Sequence, residues 1–181
     1  MTYLFLDTEW ADVAGSQLVS LALVSEDGTQ QFYAEMDPLP NDPTGFVRGT
    51  VYPLLDRGIT ALSEVAFTTA LRAFVCELSR PTVLADYHND LALLKHALAG
   101  FNLPGDQLDA CGPLPDFSAA LMLKDGITQR VLEDWFTAHS SDQRRRHHAA
   151  VDAHALRMTW LAVTGRVAAP WSPALLKTQG K

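Results

Sequence analysis

Asp7-Thr8-Glu9 closes a short apolar run at residues 2–6, and this triplet is the first place where the chain sets up chemistry. Residues two apart in a strand face the same way, so both carboxylates project together from the strand's end. Acids held that close repel each other, and a divalent cation between them relieves the repulsion. A solvated strand end accounts for the triplet equally well. A further acid, Asp90, follows Tyr87-His88-Asn89 and precedes Leu91-Ala92-Leu93-Leu94. The dipole of a starting helix favours a negative charge there, so Asp90 alone says little. Nearby Asp86 reads as a strand end or a turn cap. In the third segment, Arg144-Arg145-Arg146-His147-His148-Ala149-Ala150-Val151-Asp152-Ala153, a basic loop enters an alanine-rich helix. A carboxylate among small apolar residues needs a reason to be there, and metal binding is one. Trp10, beside the acidic pair, offers a ring that either stacks on a base or packs on the core. Arg144 to Arg146 either hold backbone phosphates or form a solvated charge run. His88, His96, His139 and His154 have no partner spacing and read as surface or packing residues.

These side chains need elements to position them. The apolar runs at 2–6, 18–24 and 31–34 are strand-like, with Glu26-Asp27-Gly28 as a turn, and predict a three-stranded antiparallel meander. Pro38 and Pro40 mark a loop, and Pro43 can open a short helix. From Ser63, apolar residues at spacings of three and four predict a helix that ends by Pro81. Thr82 to Ala85 reads as a fourth strand, followed by a helix capped by Asn89 and closed at Gly100. Residues 101–116 read as loop, Phe117 to Leu123 as a fifth strand with helix-compatible composition, and 127–138 and 149–163 as helices. The chain from Pro170 reads as a tail. The order describes an α/β domain with a mixed sheet, one domain over 1–169 and a tail at 170–181.

The 181 residues suit one domain with a sizeable core. No apolar stretch approaches membrane-spanning length, and the start lacks the basic region and apolar run of an export signal. The two cysteines form no CxxC, which predicts free thiols and a cytoplasmic protein. A formal charge of −7 argues against coating long nucleic acid by neutralising many phosphates. The charge is uneven: residues 124–166 hold seven Lys and Arg against five Asp and Glu, a local +2.

Together the three acidic segments resemble the DEDDh group of 3′–5′ exonucleases in the ribonuclease H-like superfamily. Asp7 and Glu9 match its first-strand acids, Asp90 the acid opening its central helix, and His147 and Asp152 its C-terminal motif, with Ala149 and Ala153 in the small positions. Asp7-Thr8-Glu9-Trp10, Glu26-Asp27-Gly28 and the stretch from Phe46-Val47-Arg48 to Val51-Tyr52-Pro53-Leu54 are similar to the bacterial RNase AS-type branch, known as poly(A)-directed exoribonucleases. The resemblance implies a ribonuclease H-like fold: a five-stranded mixed sheet, its first three strands antiparallel, flanked by helices. It implies two Mg²⁺ ions, with Mn²⁺ able to substitute, held by Asp7, Glu9, Asp90 and Asp152. His147 would be the general base, since the family's spacing selects it over His148, and an imidazole's near-neutral pKa suits the task. Thr8, Trp10 and Arg146 would meet the substrate. The implied activity is release of nucleoside monophosphates from the 3′ end of single-stranded RNA, by a homodimer and without a membrane partner. A DNA exonuclease of the proofreading or repair kind uses the same acids, and an inactive nucleic-acid-binding module is the third reading.

Overall fold

The run Tyr3-Leu4-Phe5-Leu6 has almost nothing polar to turn toward water, which suits a strand covered on both faces. The computed structural model, which describes residues 2–122 and 126–176, makes it β1 (Tyr3–Trp10). β2 (Leu18–Ser25) and β3 (Gln31–Met36) follow antiparallel, as the meander predicts. Their turn is made by Asp27, whose Oδ1 accepts from the Ser25 hydroxyl and from the Thr29 amide and hydroxyl, and by Gly28 at φ 77°. β5 (Thr82–Ala85) joins the other side of β1 in parallel, and β6 (Ser118–Leu121) joins β5 in parallel. The sheet order is β4-β3-β2-β1-β5-β6. The sheet thus has six strands rather than the expected five. The addition is β4 (Ala61–Leu62), parallel to the end of β3 and too short for any alternation to betray it.

Helices cover both faces. α1 (Glu64–Cys76), capped by Ser63 Oγ, and α2 (His88–Leu98) bury Phe67, Leu71, Leu94 and Leu98 against Leu4, Leu6, Leu21 and Leu23. On the opposite face Phe5 and Leu84 meet Leu156 of α6 (Ala149–Val163). There Ala22 also packs against Ala149 and Ala153. α4 (Gly126–Ala138) lies on α6 through Trp135, Phe136 and Ala155.

Several local expectations change. Tyr87, not Asn89, precedes the first turn of α2, so Asn89 lies inside the helix. The expected loop at 101–116 contains α3 (Gly105–Ala110), and buried Arg72 fixes this region by donating to the carbonyls of Leu98, Leu108 and Gly112. α5 (Ser140–Arg144) precedes the basic loop. β6 is a strand despite its alanines, and Leu123 lies outside the described residues. The expected tail docks in part. α7 (Pro173–Leu176) sits on α4, with the Ser172 hydroxyl 2.7 Å from Asp134 Oδ2 and Trp171 edge-on to Trp135; residues 177–181 lie outside the described residues. Cys76 and Cys111 are free. No helix among the described residues is long and apolar enough to cross a membrane.

Candidate metal centre

Alternation along β1 distributes the site. Asp7 and Glu9 share the parity of Phe5 and belong to the face that α6 covers, whereas Thr8 shares the parity of Leu6 and belongs to the face of α2. A break in pairing register between Glu9 and Trp10 ends this regular stretch. Small side chains at Ala22, Ala149 and Ala153 let α6 approach the sheet closely, which brings Asp152, in its first turn, to the carboxylates of β1. From the other side Asp90, only 2% exposed, accepts the Thr8 hydroxyl at 2.6 Å on Oδ1. The eight expected site residues, Asp7, Thr8, Glu9, Trp10, Asp90, Arg146, His147 and Asp152, all line one cleft of about 530 Å³.

Within the cleft the ligating atoms fall into two groups whose members all lie within 4.8 Å of one another: Glu9, His147 and Asp152, and Asp7, Asp86 and Asp90. Asp86 is the member that sequence reasoning placed elsewhere. It directly follows the last residue of β5, and the three residues after it turn the chain so that Asp90 comes back beside it. Two acids four apart across a strand-to-helix junction were the available signal.

The electrostatics of the cleft favour a positive charge. Burial, then the charges of Asp152, Asp90, Glu9 and Asp86, hold the Asp7 carboxyl well above the ordinary range. Burial, then Asp152 and Asp90, push Glu9 up to about 9. Asp7 Oδ2 is shut off from solvent and accepts no hydrogen bond. Clustered hard oxygen donors, one of them buried and orphaned, fit a divalent ion of the Mg²⁺ or Mn²⁺ type.

His147 stands at the rim with φ 75°, a left-handed conformation unusual for a residue with a side chain. Its amide donates to Asp152 Oδ2 at 3.1 Å, and Phe46 lies perpendicular to its ring with centroids 5.0 Å apart. Burial, then Arg146, pull its pKa below the usual value, so the imidazole is neutral at pH 7. His148 is 2% exposed and stacks on Tyr33, away from the cleft lining.

The three expected substrate residues fare differently. Trp10 lies nearly parallel to Tyr87, 5.8 Å between centroids, and also packs on the main core. Thr8 is buried with its hydroxyl given to Asp90, so its described contact is with a candidate ligand. Arg146 reaches the cleft wall, but its guanidinium is held by both oxygens of Glu133 at 2.7 and 2.8 Å and lies over Phe136. The four remaining histidines pack on aromatic rings: His88 on Tyr87, His96 on Phe101, and His139 and His154 on Trp135.

Neither the protein-family models nor the curated proteins contain a match to this chain.

Proposed function

We propose that the protein is a divalent-metal-dependent 3′–5′ exoribonuclease of the DEDDh kind, which removes nucleoside monophosphates from the 3′ end of single-stranded RNA. The observation that carries this reading is the meeting, in one cleft, of Asp7, Glu9, Asp90 and Asp152 from three distant segments with a histidine kept neutral beside them. Two bound Mg²⁺ ions, held by those four acids, would supply charge compensation at the phosphate and a more acidic water. His147 accepts the water's proton, for which a neutral imidazole is the required form. The water oxygen bonds to phosphorus while the bond to the 3′ oxygen of the preceding nucleotide breaks; that oxygen keeps the electron pair and takes a proton from solvent to become the new 3′ hydroxyl, the imidazolium of His147 returns its proton to solvent, and the products are a nucleoside 5′-monophosphate and a strand one unit shorter. Asp152 holds the amide of His147, and Thr8 holds Asp90, so both candidate ligands also have fixed neighbours. Trp10, Phe46 and Tyr87 give the cleft aromatic walls on which a terminal base can lie, and such stacking is worth about 1–3 kcal/mol per base. RNA is favoured over DNA on the similarity of the segments around Trp10, Asp27 and Tyr52 to the RNase AS type.

The test is incubation of end-labelled RNA and DNA oligomers with the protein in Mg²⁺, in Mn²⁺ and in chelator, beside Asp7→Ala. The expected result is a ladder descending from the 3′ end of RNA, absent in chelator and absent with the variant. Binding without products overturns the enzymatic reading, and laddering confined to DNA overturns the choice of polymer.

A further inference from the structure

His147 keeps its left-handed backbone only if its surroundings leave it no other choice, because a non-glycine residue in that region is strained. The neighbours on either side are both tied down. Arg146 is gripped by Glu133 of α4. Arg145 is gripped by a carboxylate from a remote loop, Asp56 Oδ1 accepting from Arg145 Nη2 at 2.7 Å, while Asp56 Oδ2 approaches His148 Nε2 to 3.4 Å without a hydrogen bond. Asp56 is itself anchored. Glu35, fully buried on β3, accepts the amides of Asp56 at 2.7 Å and Arg57 at 3.0 Å, together with the hydroxyl of Tyr33 at 2.7 Å. Tyr33 in turn stacks under His148, with ring centroids 4.5 Å apart. The ties close a loop from β3 through Asp56 to the residues on both sides of His147 and back to β3.

We propose that Asp56 is a positioning residue for His147, clasping the segment 145–148 so that the imidazole faces the cleft. The inference rests on the reading of His147 as proton acceptor. Asp56 does not line the cleft and carries a charge of the same sign as phosphate. Its removal therefore affects turnover rather than binding. Misplacing a reacting group by about 1 Å costs on the order of 100-fold.

The experiment measures kcat and KM on an RNA oligomer in Mg²⁺, and hydrogen exchange of the amides of 145–148 by NMR, for wild type, Asp56→Ala, Asp56→Asn and Asp37→Ala. Asp56→Ala is expected to lose about 10- to 100-fold in kcat with KM unchanged or lower, and to exchange those amides about tenfold faster. Asp56→Asn, which keeps an acceptor for Arg145, falls between it and wild type, and decides the matter if the alanine variant does not fold. Asp37→Ala, which removes an exposed carboxylate that pairs with Arg57 and not with the segment 145–148, leaves both readouts at wild type. Wild-type kcat in Asp56→Ala and Asp56→Asn, or a rise in KM alone, overturns the proposal, as does unchanged exchange. If wild type is inert on every polymer, the nuclease reading falls by itself, and the exchange measurement still decides whether Asp56 holds the segment.

Discussion

Glu9 and Asp7 make the metal-free protein sensitive to pH in a direction opposite to that of an ordinary salt-bridged acid. Glu9 titrates at about 9 when folded and at 4.5 when free, so between those values the folded form binds the extra proton. Stability is therefore full below 4.5 and declines as pH rises toward 9. Denaturant midpoints taken in chelator across that window should fall steadily, and saturating Mg²⁺ should flatten the decline. Asp7→Asn, which removes an acid crowded by four others, should raise the unfolding free energy in chelator by about 0.5–2 kcal/mol while abolishing hydrolysis. The two adjacent histidines separate cleanly. His147→Ala should cost about 10²–10⁴ in turnover with little loss of stability. His148→Ala should be chiefly destabilising, by about 1–3 kcal/mol, because a buried ring stacked on Tyr33 is lost. At this scale the pairing of Asp7 with Glu9 was legible from strand parity, whereas Asp90, His147 and Asp152 were expected only from the resemblance; all five line the one cleft. Asp86 was not legible, since its membership depends on how tightly the chain turns after β5. Nor were the contacts of Thr8 and Arg146, which go to Asp90 and to Glu133 on elements distant in sequence.

The α6 helix does its work through what it lacks. Alanine at 149 and 153 against Ala22 allows an approach that larger side chains would block, and Asp152 rides on that approach. Ala153→Leu should destabilise the fold by about 1–3 kcal/mol through overpacking and should weaken Mn²⁺ binding, measured by calorimetry, in the fraction that folds. Ala153→Ser should do neither to a comparable degree. Elements with a strong repeating pattern, such as α1 and the meander, could be read from the chain. Those stabilised by remote contacts could not. α3 depends on the guanidinium of Arg72, β4 on an edge offered by β3, and α7 on Asp134 and Trp135 of α4. None of these partners lies within the window over which periodicity is judged.

The molecule as a whole carries −7, yet five of its acids gather where two divalent ions would leave −7 + 4 = −3. Cation binding should accordingly stabilise the entire fold, by about 2.7 kcal/mol at a hundred times Kd. Melting curves with and without Mg²⁺ measure this, and Asp7→Ala should erase the difference. Removing residues 170–181 should cost about 1–3 kcal/mol, because Asp134 loses two donors and Trp135 loses its cover. The ligands of the site are also spread in time as well as in space. Asp7 and Glu9 emerge early from a ribosome, Asp90 midway, and Asp152 only when most of the chain has been made. A growing chain folds from its N-terminal side, and parallel pairing of β1 with β5 must wait for the intervening residues. The cleft's cluster of carboxylates is thereby completed last by Asp152, and no nascent chain can hold it whole until α6 has left the exit tunnel.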